Sequence, residues 1–359
     1  MLIRVGILTA PDIRCSVGHT LADVPTSVIQ DVRIGIGFHW DRTEQQEFEG
    51  RMEILHNPDG TMTAVNILDL ETYLVSVISS EMSASAPIEL LKAHAVISRS
   101  WAVRAVEANR AGASSLRLRA YESNGHTGYD VCADDHCQRY EGIRRVNSRA
   151  REAVEATQGQ VLVYGDKHEV CDCRYHKCCG GLTEVFSTCW QNMDVPYLQS
   201  VQCTYCADKD SLLRAGALND YDSETTDYHD WSVSYTPSQL SAIVRDKTGV
   251  DFGEIVDLVP LERGKSGRIC SLKIVGTRAE KVIGKELAIR RALSPTCLYS
   301  SWFDVERTSS GSFILNGHGW GHGVGLCQIG AAIMALKGFS YQQILSHYYP
   351  GTSLLPLGS

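Results

Sequence analysis

No run of apolar residues in this 359-residue chain approaches the length of a membrane-spanning helix. The formal charge of −8 leaves no basic surplus, so the electrostatic footprint of a nucleic-acid binder is missing. Uncharged or zwitterionic partners suit such a chain better than polyanions. The first residues, MLIRVGILTA, read as a strand, not as a charged segment leading into a long apolar one, so no signal peptide is visible. Two expectations follow: a cytosolic protein, or a sequence that starts after its targeting segment. Internal repeats, low-complexity tracts and long linkers are also lacking. What is left is ordinary globular composition, 43% hydrophobic and 21% charged, with room for one large domain or two modest lobes.

Cysteine, by contrast, is plentiful. Thirteen is an odd number, so disulfides alone cannot use them all. Cys171, Cys173, Cys178, Cys179, Cys189, Cys203 and Cys206 crowd one region, which points to export, metal binding, or both. Cys203 and Cys206 form a C-x-x-C, a weak signal by itself. Cys171 and Cys173, two apart on an expected strand, would face the same side. Disulfides, a second structural metal and buried thiols compete for this cluster. Disulfides or buried thiols are the expectation, and no second metal is placed.

Residues 1–67 alternate β-like runs with turn signals such as Asn57-Pro58-Asp59-Gly60. The period then changes. Leu70, Tyr73, Leu74, Val77 and Ile78 follow helical spacing, which predicts an amphipathic helix ending near Glu81. Pro87 suits the first position of a second helix, apolar on most faces and so expected to be buried. Residues 120–145 read as a loop rich in His, Cys, Asp and Gly. "REAVEATQGQVLVYG" reads as helix, glycine, strand, and "HEVCDCRYHKCCGG" as a strand into a turn. Residues 207–310 carry generic helices and strands with no evident chemistry. The expected fold class is α+β: one unit of mixed sheets and helices, or two lobes around a cleft. The expected organisation is a β-rich region over 1–66, a core over 67–206, a second lobe or insertion over 207–310, and a glycine-rich completion over 311–359.

Three groups of residues stand out. Glu81 falls on the apolar stripe of its helix and at the negative end of the helix dipole. Burial and dipole both favour the protonated carboxyl, which is what a general acid requires. The alternative is that the stripe has ended and Glu81 is simply solvated. "HTGYDVCADDHCQRY" places His126, Cys132, His136 and Cys137 within twelve residues. Two thiolates and two imidazoles are the ligand set of a closed, structural zinc site, which would staple a loop with little apolar material. The alternative is a pair of free or disulfide-bonded cysteines with solvated histidines. Asp130, Asp134 and Asp135 are poorer ligands, and one could support the site from outside.

Third, "NGHGWGHGVGLCQIGAAIMA" alternates glycine at Gly317, Gly319, Gly321, Gly323 and Gly325. The dinucleotide fingerprint needs glycines at n, n+2 and n+5, and every frame fails; so does the P-loop, for want of Gly-Lys-Ser/Thr. If the stretch is extended, all five glycines share one face, and His318, Trp320, His322 and Val324 line the other. That second face would suit a sugar ring and its hydroxyls. The alternative is a glycine-rich turn with a packed Trp and satisfied histidines.

Taken together, "ETYLVSVISSEMSASAPIELLKAHAVISRSWAV", "TQGQVLVYG", "YHKCCGGLTEVF" and "GHGWGHGVGLCQIGAAIMA…YQQILSHYYPG" resemble the motifs of the stage II sporulation protein D (SpoIID), or amidase-enhancer, family. The resemblance spans about residues 65–205 and 313–351, and covers 207–310 only loosely. It implies a lytic transglycosylase that cleaves the MurNAc–GlcNAc bond of peptidoglycan glycan strands, preferring strands stripped of stem peptides. The catalytic acid it implies is the Glu of the Glu-Met pair, Glu81. The zinc it implies, one structural site, falls on His126, Cys132, His136 and Cys137. Arg99, His318, Trp320, His322 and Gln328 become the candidates for gripping sugar or shaping its cleft, with Arg99 alternatively a structural ion-pair partner. Leu326-Cys327 departs from the family's usual Met-Ser, a nearly isosteric change that leaves the expected activity in place. A glycan substrate implies an extracytoplasmic protein, with a cell-wall amidase as a further partner. Two other functions remain open: a non-catalytic peptidoglycan-binding amidase enhancer, and a zinc hydrolase built on the His/Cys loop.

Overall fold

The alternation read over the first 67 residues becomes six strands: β1 (Leu2–Ala10), β2 (Cys15–His19), β3 (Pro25–Ile34), β4 (Arg42–Phe48), β5 (Arg51–His56) and β6 (Met62–Asp69). In this computed structural model the described residues are 1–20, 23–38, 40–110, 126–208 and 229–358. Parts of the sequence expectations, at 120–125 and 209–228, lie outside them. The chain divides into two compact units. Among the described residues, one takes in Met1–Cys173 and the stretch from Thr352, and the other runs from Arg174 to Gly351. The class is α+β.

In the first unit, β5 and β6 form a hairpin whose turn is Asn57-Pro58-Asp59-Gly60. Gly60 takes φ +85°, and Asp59 Oδ1 accepts from the Thr61 N–H at 3.0 Å. The chain continues through α1 (Leu70–Glu81) and α2 (Ile88–Arg110) to a short strand, β7 (Val131–Cys132). The sheet order is β5-β6-β1-β7, with β2-β3-β4 as a separate antiparallel sheet. Asp69 caps α1 by accepting from the Glu71 N–H at 2.8 Å. The helical stripe read from the sequence is the buried face: Leu70, Tyr73, Leu74, Val77 and Ile78 are all 3% exposed or less.

α3 (Ser148–Ala156) follows, capped by Asn147, and then β8 (Gln160–Tyr164) and β9 (Glu169–Val170). A last strand, Ser353–Pro356, pairs antiparallel with β8. Arg99, on α2, is fully buried. It reaches both carboxylate oxygens of Glu71 (2.8 and 2.6 Å) and donates to the Gln160 carbonyl (3.0 Å). One guanidinium thus ties α1, α2 and β8 together.

The second unit opens with β10 (Tyr175–His176) and α4 (Phe186–Cys189). Next come β11 (Asp230–Tyr235), α5 (Pro237–Thr248), the β12 (Ile255–Arg263), β13 (Ile269–Gly276), β14 (Glu280–Ile283) sheet, and α6 (Glu286–Ala292). β15 (Phe303–Arg307) and β16 (Phe313–His318) complete a sheet of order β11-β16-β15. The unit ends with β17 (Leu326–Cys327), which pairs with β10, then α7 (Gln328–Leu336) and α8 (Tyr341–Tyr348). Both α5 and α8 start with a full capping box, Thr236 with Gln239 and Ser340 with Gln343. Trp231, Leu240, Val244, Phe252, Ile274 and Phe313 belong to one continuous core.

Two local expectations change. The strand expected through Cys171 and Cys173 ends at Val170. The extended run expected through the five glycines ends at His318. Removing one partner of a buried ion pair leaves the other uncompensated. Arg99→Ala is therefore expected to lower stability by about 3–5 kcal/mol, measured by urea denaturation. Glu71→Gln, at the more exposed end of the pair, should cost less.

Candidate catalytic carboxylate and metal-binding loop

Glu81 is the last residue of α1, partly exposed, and no basic side chain lies in the last turn of that helix. Its Oε1 accepts from the Arg139 N–H at 3.1 Å. The segment that supplies this donor is packed against α1 at two more places. Tyr73 donates its hydroxyl to Gln138 Oε1 (3.1 Å), and Ser76 Oγ donates to the Gly142 carbonyl (2.5 Å). Tyr140 stacks on Tyr73 (5.2 Å) and donates to Asn66 Oδ1 (2.5 Å). The Arg139 side chain is held by Asp135 (2.9 Å), which also accepts from Trp40 Nε1 (2.9 Å).

Immediately before this segment, the structure brings together the four residues read as ligands. One ligand atom each of His126, Cys132, His136 and Cys137 lies within 4.8 Å of all the others. His126 Nε2 is 3.2 Å from Cys137 Sγ, and His136 Nδ1 is 3.6 and 3.8 Å from the Cys137 and Cys132 sulfurs. Ligands at zinc's usual bond lengths, in a tetrahedron, stand roughly 3.3–3.8 Å apart. The donor set and its spacing therefore fit a zinc ion. The hydrogen bond with Cys137, joined by those from His126 and His136, lowers the Cys132 thiol well below the usual thiol range against the opposing effect of burial. A thiolate is the form a metal needs.

The glycine-rich stretch lies in the second unit. Past His318 its backbone turns rather than extends: Gly319, Gly321, Gly323 and Gly325 take φ of +73°, +94°, +81° and +72°. Each turn brings the chain against something that a Cβ would strike. At Gly323 that is the Arg268 guanidinium (2.4 Å), and at Gly325 the Arg174 carbonyl (2.0 Å). Fully buried Arg268 donates to the Gly321 carbonyl (3.2 Å), the Cys179 carbonyl (3.3 Å) and Ser266 Oγ (2.9 Å). Ser266 in turn donates to Glu184 (2.7 Å), itself fully buried. Arg268 falls in the stretch where the sequence showed no chemistry, and no motif marks it.

The histidines of the stretch part company. His318 is 41% exposed, with Nδ1 2.7 Å from Asp230 and its ring 5.0 Å from that of Trp302. Trp320 is buried, edge-on to Tyr299 at 5.2 Å. His322 accepts from the Val324 N–H (3.0 Å) and lies edge-on to Trp190 (4.8 Å). Gln328 is buried as the first residue of α7. Buried His176 donates from Nδ1 to the Val324 carbonyl (3.1 Å), and its Nε2 has no partner among the described residues. Burial first, and Arg268 second, push this imidazole down to about 3.

All thirteen cysteines are free thiols. Cys179, Cys203, Cys206 and Cys327 gather into a second buried group that could hold a metal. The C-x-x-C was visible in the sequence; its meeting with Cys179 and Cys327 was not. No helix among the described residues is long and apolar enough to cross a membrane.

The stage II sporulation protein family pattern matches residues 58–164, and a domain of unknown function, DUF8618, matches 184–325. An uncharacterized protein of Brachyspira hyodysenteriae is 30% identical over 310 residues, 86% of this chain and 72% of its own length. The chain belongs to the stage II sporulation protein D family. It is 24% identical to the Bacillus subtilis protein of that name over 291 residues, covering 81% of this chain and 76% of that one. It is also 27% identical to the Bacillus subtilis amidase enhancer over 311 residues, covering 78% of this chain but only 40% of the enhancer.

Two predictions test how this family member builds its glycine-rich stretch. A side chain at positive φ costs on the order of 1–3 kcal/mol, and at Gly325 it also meets a carbonyl. Gly325→Ala should therefore destabilise more than Gly321→Ala, where the nearest neighbour is a Cβ at 3.0 Å; urea midpoints compare them. His176 resists protonation when folded but not when unfolded. Its contribution to stability is full above about pH 6.5 and is lost as pH falls toward 3. His176→Asn keeps a donor for Val324 without the titration, so its midpoint should depend less on pH across that window.

Proposed function

We propose that this protein is a peptidoglycan lytic transglycosylase with Glu81 as its single acid and base. The observation that carries this reading is the setting of Glu81. Its carboxyl ends a rigid, buried helix and rests on the Arg139 N–H, two residues beyond Cys137. The loop whose ligands fit zinc therefore also sets the donor on the carboxyl. Four protein ligands leave no open position, so a zinc bound by His126, Cys132, His136 and Cys137 supplies rigidity. A zinc-hydrolase reading needs an open position that this ligand set does not offer.

In this mechanism Glu81 gives its proton to the glycosidic oxygen between MurNAc and GlcNAc. The C1–O bond breaks, the GlcNAc hydroxyl leaves, and positive charge develops at C1 of MurNAc. The C6 hydroxyl of the same sugar attacks C1 and closes the 1,6-anhydro ring. Its proton passes to the Glu81 carboxylate, which restores the acid. One carboxylate suffices because the nucleophile is intramolecular and no water needs activating. Glycan strands lacking stem peptides are the proposed substrate, which places the protein outside the cytoplasmic membrane.

Arg99 is assigned a positioning role, since its guanidinium is taken up by Glu71, at the other end of the helix that carries Glu81. His318, partly exposed and oriented by Asp230, is the proposed sugar contact of the second unit. Trp320, His322 and Gln328 are proposed to shape that surface from beneath. A second reading, a non-catalytic activator of a cell-wall amidase, is supported to the same degree by the likeness to the amidase enhancer.

Digestion of denuded glycan strands separates these readings by product mass. Anhydro-MurNAc ends are expected from the wild type. Glu81→Gln should lower turnover by about 10²–10⁴-fold with an unchanged circular dichroism spectrum. Hydrated reducing ends would mark a hydrolase instead. Strand binding without cleavage, together with stimulation of an amidase, would establish the activator.

A further inference from the structure

The second cysteine group is independent of the reading above. Cys179 follows β10 in the Cys178-Cys179-Gly180-Gly181 turn, Cys203 and Cys206 form the C-x-x-C, and Cys327 caps α7. All four are buried, and their sulfurs lie within 4.8 Å of one another, Cys179 and Cys206 at 3.4 Å. A disulfide would draw one pair to about 2.05 Å and leave the other two as bystanders. Four thiolates around a metal at about 2.3 Å stand roughly 3.8 Å apart in a tetrahedron, which is the kind of mutual spacing found here.

The backbone around these sulfurs is arranged to receive negative charge. The Cys179 N–H (3.3 Å) and the Gly330 N–H (3.3 Å) both donate to Cys327 Sγ. The Gly181 N–H donates to Cys179 Sγ (3.4 Å). Cys327 also caps α7, at the positive end of that helix's dipole. Nearby, His229 Nδ1 stands 2.9 Å from Asp230 Oδ2. At Gly330 a Cβ would stand 2.6 Å from Cys203 Sγ and 2.3 Å from the Tyr348 hydroxyl, so a glycine lets the helix approach the sulfurs. Four sulfurs buried together can ionise only with a cation to balance them.

We propose that Cys179, Cys203, Cys206 and Cys327 bind a divalent thiophilic metal, zinc in the first instance, in a closed tetrahedral site. This site is separate from the His/Cys loop and lies wholly within the second unit. Its role is structural. It pins the turn after β10, the 203–206 loop and the start of α7 to one point, and with them the end of the glycine-rich stretch.

The decisive protein is the full chain carrying His126→Ala and His136→Ala, which leaves all four cysteines in place. Metal analysis of this variant, purified under reducing conditions, is expected to find one equivalent of zinc or iron per chain; none would overturn the proposal. Cobalt(II) loaded into the same variant should show the intense sulfur-to-cobalt charge-transfer absorption of a four-thiolate site, and its absence would also overturn the proposal. Cys203→Ser with Cys206→Ser should contain one equivalent less than the wild type; an unchanged content contradicts the site. If that double variant does not fold, Cys327→Ser, nearly isosteric, takes its place. It should release metal to a chelator at least tenfold faster in the His126/His136 background, and an equal rate contradicts the site. Peptide mapping without reduction provides a last check, because a disulfide within the four in metal-loaded protein excludes it.

Discussion

A guanidinium that has left water must find acceptors for its donors, and each unit of this protein is arranged around one that has. Arg99 in the first unit and Arg268 in the second are both 0% exposed. Neither can deprotonate to escape the cost of burial. Arg99 draws on Glu71 and on the carbonyls of Gln160 and Val154, so α1, α3 and β8 meet where it sits. Arg268 takes the carbonyls of Cys179 and Gly321, and Ser266 links it to Glu184. Main-chain acceptors must come close to serve a guanidinium, which explains why the backbone near Arg268 is so crowded.

That crowding accounts for the glycine alternation in a way its period alone did not. Five glycines at period 2 looked like one face of a strand. The strand stops at His318, and the four later glycines are instead left-handed turns fitted between Arg268, His176, Cys178 and Arg174. His318 remains at the surface, whereas Trp320 is buried. The Ser-to-Cys departure also changes meaning. Cys327 is a helix cap that accepts two N–H groups and stands among three other cysteines, so it is more than an isostere of serine.

What could be read beforehand was what is local in sequence. The apolar spacing of Leu70 to Ile78 marked a buried helix and its end at Glu81 because helical period and burial are one fact seen twice. The His126 to Cys137 ligand set was legible because all four residues lie on one loop. Contacts assembled from distant segments were not. Nothing near Arg139 announces that its N–H meets Glu81, 58 residues away in the chain. Arg268 has no local signature, and Cys327 lies far from the C-x-x-C it joins.

The pairing of Ser353–Pro356 with β8 has a consequence for how the chain is made. Its register, Ser353 against Val163, joins segments separated by nearly the whole second unit. Such a contact closes a long loop and forms late. During synthesis from the N-terminus, one edge of β8 stays open until Ser353–Pro356 emerges. The first unit to be translated is therefore among the last to finish folding, and an unpaired strand edge is exposed meanwhile.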